Sequence, residues 1–388
     1  MKLKLTRITD GKRVIPEIEG LRFISIFLVV LSHIHNNTLH VYPAAFQSAS
    51  ETPLAIFLEE CGAGISIFFF ISGFILALPF LKAYVYNGQK VSLKRYYYRR
   101  LTRIEPPYII SLTFFFLVAF FILKQPFPEA LEHYAASAVY LHNIVYNHIS
   151  TINPVAWTLE IEVQFYIIFP LIALMLFRKN DLLRRLLLFA LFLIMGNLYA
   201  QNFDFFSEYH LTKSLFAYFG LFTAGIIVAD WYLANKKFLA ENKSVLFDVL
   251  GLTALYFIIV LSGFYAFGYR MFVFACYFAL FITIFKGSIL NKIFTNKYIV
   301  IVGGMCYSIY LVHYAITYFI TQNFTKNILT YNYPRDVLVQ GLIIIPVILV
   351  GSVIFFMLFE RPFMNIYWTQ KVKKFFSKNT HAIHPRKR

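Results

Sequence analysis

The residues able to do chemistry in this sequence are few, and they sit where an apolar chain can least afford them. Arg22 and His33 lie eleven positions apart inside the first long apolar run. At 100° per residue, eleven steps make three turns plus about 20°, so both side chains share one helical face roughly 16 Å apart. An imidazole with an ordinary pKa near 6.5 can take or return a proton at neutrality. A guanidinium offers paired donors to phosphate or carboxylate oxygens. Holding both on one stripe of a membrane helix is costly, which marks them as a functional pair. The arginine alone also reads as an interfacial anchor that snorkels to the headgroups.

The surrounding chain must position these groups, and its composition says how. Of 388 residues, 59% are hydrophobic and 14% charged, with a mean hydropathy of +0.64, against about 25% charged in soluble domains. Recurrent apolar runs of about twenty residues predict an all-α, polytopic membrane bundle of about ten transmembrane helices. The expected spans are Leu21–Ile34, Leu54–Leu81, Pro107–Leu123, Trp157–Phe177, Leu186–Ala200, Leu215–Leu233, Leu246–Phe264, Met271–Phe285, Tyr298–Ile320 and Val339–Phe359. Part of the long connection 124–156, at Ala135–Val145, reads as an interfacial helix. Residues 1–20 and 364–388 are expected as cytoplasmic flanks of one membrane domain, 21–363, with neither a cleavable leader nor a second domain.

The net charge of +17 does not point to nucleic acid, because the basic residues fall in short connections. If the amino terminus is cytoplasmic, 31 of the 36 lysines and arginines face the cytoplasm, leaving Lys124, Lys213, Arg270, Lys326 and Arg335 outside. That asymmetry orients the protein with both termini inside. Cys61, Cys276 and Cys306 have no paired spacing, so neither a disulfide framework nor a metal site is expected. His35, His40, His133, His142, His148 and His210 read as scattered and solvated, Gly62, Gly64 and Gly73 as helix-packing residues.

Orientation sorts the remaining polar groups by depth. His33, Glu162 and His313, from three distant spans, fall in the outer half, which implies a polar cavity opening outward. Arg22, Arg99, Arg100, Arg103 and Arg361 gather at the inner face and suit a polyphosphate. Glu360 is a partner for Arg361 or another arginine. The same intramembrane histidines and glutamate would equally serve a proton-coupled transporter or flippase, or a pH sensor.

Six segments in order resemble the acyltransferase-3 family, integral-membrane O-acyltransferases of bacterial surface carbohydrates. Gly20-Leu21-Arg22 to His33 is similar to the family's opening motif, and Phe69-Phe70-Ile71-Ser72-Gly73-Phe74 to its Phe-Phe-x-x-Ser-Gly-Phe element. Arg100 to Pro106, Trp157 to Tyr166 (Thr158 replacing a serine), Tyr307 to His313 and Glu360 to Phe363 resemble the other four. The resemblance implies acetyl-CoA or another acyl-CoA as donor, a carbohydrate or lipid-linked glycan as acceptor, and a place in the bacterial cytoplasmic membrane among its lipids. It implies Arg22, Arg99, Arg100, Arg103, Ser72 and Arg361 at the donor, His33, Glu162 and His313 in catalysis, and Trp157, Tyr166 and Tyr310 at the acceptor. On this reading His33 takes the proton of the attacking hydroxyl, Glu162 orients its imidazole or stabilises its cation, and His313 is an alternative base, an acceptor contact or a donor to the thioester oxygen. Glu160 has no assigned place, and neither oligomeric state nor the acceptor sugar is fixed.

Overall fold

The structure, a computed structural model, describes residues 5, 7, 14–201, 209–263, 267–365 and 368. The described elements are helical, without a strand. The long ones are α1 (Pro16–His40), α3 (Gly64–Tyr84, preceded by α2, Pro53–Glu60), α4 (Leu93–Phe121), α7 (Trp157–Leu176), α8 (Asp181–Gln201), α10 (Leu215–Ala234), α12 (Val245–Val260), α13 (Phe267–Lys286), α15 (Lys297–Gly304), α16 (Cys306–Ile320) and α17 (Tyr333–Phe355). Short helices α5 (Phe127–Ala138), α6 (His142–Tyr146), α9 (Tyr209–Thr212), α11 (Lys236–Ala240) and α14 (Leu290–Phe294) lie between them. Among the described residues seven helical stretches are long and apolar enough to cross a membrane, eight if the bent pair α15–α16 counts as one. The expected fifth and seventh spans are present as helices but fall outside that group. α8 carries Asp181, Arg184 and Arg185 in its first turns, and α12, at 16 residues, is about 24 Å long. The chain is a multi-pass membrane protein.

α1 is longer than its apolar run. Pro16 occupies the first turn with Glu17 and Glu19, where the helix dipole favours acids. Asn37 and Thr38, beyond the expected end of the first span at Ile34, are helical and buried, their side chains satisfied by donating back to the carbonyls of His33 at 2.8 Å and Ile34 at 2.7 Å. α4 likewise starts at Leu93, capped by Ser92 Oγ, so Arg95, Arg99, Arg100 and Arg103 are helical rather than in a connection. It runs through Pro106 and Pro107, whose missing N–H groups leave the carbonyls of Thr102 and Arg103 without intrahelical donors.

Close helix approach holds the bundle. A Cβ at Gly73 would run into the Phe222 carbonyl and one at Gly225 into the Phe70 carbonyl, so α3 and α10 meet backbone to backbone. Gly64 plays the same part against Ser25 of α1. Gly62 does not: its nearest neighbour would be Ser32 Oγ at 3.8 Å.

The expected ninth span is not a straight helix. α15 and the helix after it are bent by 71° at Met305. Met305 N–H turns back to the carbonyls of Ile301 and Val302, closing α15 behind Gly303 and Gly304. The new amino terminus of α16 is satisfied from across the bundle: the fully buried Glu360 accepts from Ser308 N–H at 3.1 Å and Ser308 Oγ at 2.5 Å. A carboxylate at a helix amino terminus is favoured by the exposed N–H groups and the dipole. Glu360 is thus hydrogen-bonded by Ser308, with Arg103 and Arg22, rather than its neighbour Arg361, as the arginines that act on its charge.

The histidines between α4 and α7 are not scattered. His133 Nδ1 and His142 Nε2 lie 2.9 Å apart, and the His148 ring is 5.4 and 5.5 Å from theirs. Glu160, on α7, pins this connection by accepting from Asn143 N–H at 3.1 Å. His35 is also buried, its Nδ1 2.6 Å from Tyr333 Oη. His210 and most of the 364–388 tail lie outside the described side chains. Burial, with His133 and His148 adding to it, lowers the His142 pKa to about 4, and burial lowers that of His133.

Two outcomes follow. Glu360→Ala leaves a buried N–H and hydroxyl without an acceptor and should cost about 1–3 kcal/mol, read as a lower unfolding midpoint in detergent. Glu360→Gln, which keeps an oxygen there, should lose less; equal losses would remove the capping role. Histidines held neutral stabilise the fold above their unfolded pKa near 6.5 and progressively less as pH falls below it. The midpoint should therefore drop between pH 7.5 and 5, and His142→Gln should narrow that drop.

Candidate functional site

Side chains from α1, α3, α4, α7 and α16 enclose a cavity of about 290 Å³. Ten of the twelve residues singled out from sequence line it: Arg22, His33, Ser72, Arg100, Arg103, Trp157, Glu162, Tyr166, Tyr310 and His313. Arg99 and Arg361 are not in the lining. The cavity takes its long direction from α1, whose Arg22 and His33 both face it about three turns apart.

One end is basic. Arg22 is 9% exposed and reaches Glu19 through Nη1, 3.2 Å from each carboxylate oxygen, while Arg7 Nη1 donates to the same carboxylate at 2.8 Å. Two guanidinium groups thus share one acid, and the cluster keeps a net positive charge. Arg100 stacks over the Tyr166 ring with its guanidinium carbon 5.0 Å from the centroid, which fixes a planar cation at the wall. Arg103 completes this end, with Cys306 and with Tyr307, whose hydroxyl donates to the Ile104 carbonyl at 2.8 Å.

The expected contact between Glu162 and an imidazole is not formed. The Glu162 carboxylate accepts from Ser72 Oγ at 2.6 Å and from the hydroxyl of Tyr166. Tyr166 stands one helical turn below Glu162 and under Arg100, so Glu162 belongs with the basic half. The same bond occupies the Ser72 hydroxyl proton.

At the other end two histidines meet. The rings of His33 and His313 have centroids 5.1 Å apart, and Tyr314 stands edge-on to His33 at 5.1 Å. His313 Nδ1 lies 2.8 Å from the Tyr310 carbonyl and 3.0 Å from that of Ile309. Carbonyl oxygens only accept, so Nδ1 carries the proton and Nε2 keeps its lone pair. That Nε2 is buried and has no hydrogen-bond partner. The bend at Met305 makes this possible: it sends α16 past the cavity with Tyr307, Tyr310 and His313 on one face at three-residue intervals. Tyr310 is held by donating to the Val155 carbonyl at 2.5 Å and accepting from Thr158 Oγ1 at 3.0 Å. Trp157 lies under Lys213, whose Nζ is 4.3 Å from the indole centroid.

Sequence reasoning missed Glu19, Arg7 and Lys213. Glu19, in the first turn of a helix that also holds Arg22 three residues on, was the findable one. Arg7 and Lys213 lie in connections, where nothing in the pattern separates them from other basic residues. Among the described residues no group of three or more His, Cys, Asp or Glu side chains is arranged to hold a metal ion.

The chain is 25% identical over 363 residues to O-acetyltransferase OatA of Staphylococcus aureus strains NCTC 8325 / PS 47, COL and MRSA252, an alignment covering 85% of this chain and 55% of each relative. The chain therefore spans about half the length of the curated relatives it matches. No solved structure matches it. A family model described as an acyltransferase domain matches residues 15–361, nearly all of the helical bundle that surrounds the cavity, and the chain belongs to this acyltransferase-3 family.

Proposed function

We propose that the protein is an O-acyltransferase of the bacterial cytoplasmic membrane, moving an acyl group, acetyl by analogy with its relatives, from cytoplasmic acyl-CoA to a carbohydrate hydroxyl on the far side. The observation that carries this reading is one cavity with Arg22, Arg100 and Arg103 at one end and His33 facing His313 at the other. The basic end faces the cytoplasm, with both termini, in keeping with the distribution of lysine and arginine. Residues 21–363 act as one membrane unit.

The three arginines hold the phosphates of the donor through planar paired donors. Arg99 and Arg361, outside the lining, add charge at the mouth. Ser72, Glu162 and Tyr166 form the middle wall along which the pantetheine arm lies. His313 Nε2, already in the tautomer of a base, takes the proton of the acceptor hydroxyl as its oxygen attacks the thioester carbon. His33 donates to the carbonyl oxygen, where negative charge develops. The C–S bond then breaks, and the proton held by His313 passes to the departing sulfur, leaving an ester and free CoA thiol. Ser72 is bound to Glu162 in the basic half, away from the paired histidines, so direct transfer is favoured over a seryl intermediate.

The test uses purified protein in detergent with radiolabelled acetyl-CoA and bacterial glycan. His313→Ala and His33→Ala should each lower the transfer rate about 10²–10⁴-fold with donor binding retained. Arg103→Ala should weaken acetyl-CoA binding about tenfold or more, as expected for a lost charge-assisted bond. A folded protein that binds no acyl-CoA would overturn the proposal and point to transport, which needs no covalent product.

A further inference from the structure

A second cavity, of about 460 Å³, adjoins the first at its histidine end. Ile65, Trp157 and Lys213 line both. Its far walls are the α2–α3 connection, the ends of α8 and α12 remote from the basic face, and the start of α13. None of the arginines assigned to the donor reaches it.

We propose that this second cavity is the acceptor site, shaped for a hydroxyl-bearing pyranose, with Trp157 and Lys213 as the partition across which the sugar hydroxyl meets the acyl group. The assignment rests on the transferase reading above. Its chemistry is that of sugar recognition. Trp157 and Tyr218, with ring centroids 5.7 Å apart, offer the apolar ring faces against which the C–H face of a pyranose packs. Glu59 and Glu60 stand in the wall, and carboxylate oxygens can accept from sugar hydroxyl groups. Glu60 is held in place by the hydroxyl of Ser262. Lys213 supplies a donor directly at the shared wall. The volume lies within the range of small-molecule sites, about 300–1,000 Å³.

Gly196 on α8 is the position from which to test it. Among the described residues a Cβ added there meets nothing within 4 Å, so a larger side chain has room to start toward the cavity that Gly196 lines, and leucine is a better helix former than glycine. The experiment titrates the detergent-solubilised full chain with methyl glucopyranoside, methyl galactopyranoside and methyl N-acetylglucosaminide, following tryptophan fluorescence. Acetyl-CoA binding is measured in parallel. Wild type should bind at least one pyranoside, and Gly196→Leu should weaken that binding at least tenfold with acetyl-CoA affinity unchanged. Glu60→Gln, which keeps the shape and removes the charge, should weaken it severalfold and guards against a folding effect of the leucine. Equal pyranoside binding in wild type and Gly196→Leu overturns the proposal, as does no pyranoside binding by wild type. Phospholipid that copurifies with wild type but not with Gly196→Leu also overturns it, since lipid would then own the space. Loss of acetyl-CoA binding with pyranoside binding intact sinks the donor assignment and leaves this one standing.

Discussion

An arginine and a histidine on one face of a membrane helix must be solvated by protein, because hydrocarbon cannot do it. This constraint puts α1 at the centre. In its most apolar window 72% of residues are buried inside the protein, against 22% for the span containing α17. The first helix is surrounded by α3, α15, α16 and α17, and its polar groups are answered from within: Glu19 for Arg22, the His313 ring beside His33. Replacing Glu19 would leave a buried guanidinium short of its partner, a fault of about the same size as the largest apolar truncations.

The bend at Met305 is the second device, and it follows from the first. A straight helix from Lys297 to Ile320 would carry continuous hydrogen bonds past the cavity and present no free N–H groups in mid-protein. Breaking it creates an amino terminus that has to be satisfied in a dry place. Glu360 does this at Ser308, which explains why a Tyr-Ser pair and a Glu-Arg-Pro segment fifty residues apart belong to one arrangement. The break also frees the register of α16, so that His313 reaches His33 while its Nδ1 proton is held by its own helix. In the proposed transfer, the base would thus be prepared by backbone geometry rather than by a carboxylate.

Much of this was legible in the sequence, for a definite reason. Apolar runs, charge asymmetry and the Arg22–His33 spacing are one-dimensional consequences of crossing a membrane. What was not legible depends on which distant side chains meet. Glu162 lay at a plausible depth for an imidazole, yet Ser72 on α3 and Tyr166, one turn along its own helix, claim it. His133, His142 and His148 looked scattered because a turn between α5 and α6, with Tyr140 at φ 60°, folds the chain back on itself. Asn37 and Thr38 read as a loop by propensity, and tertiary burial kept them helical. Lys213 carried no signal at all, since its place over Trp157 is set by the path between α9 and α10.

The proposed transfer would also have to keep water from the thioester, which hydrolysis would waste. A single open channel from one face to the other would admit water whenever the acceptor was missing. Two cavities that meet at a shared wall would limit this. The wall at Trp157 and Lys213 joins a large apolar ring to a cation stacked on its face, so it is cohesive without being covalently fixed. A sugar that packs on the indole competes directly for the face that Lys213 covers, which would couple acceptor arrival to displacement of the lysine. On that argument the partition stays closed until the molecule that needs it open is already bound.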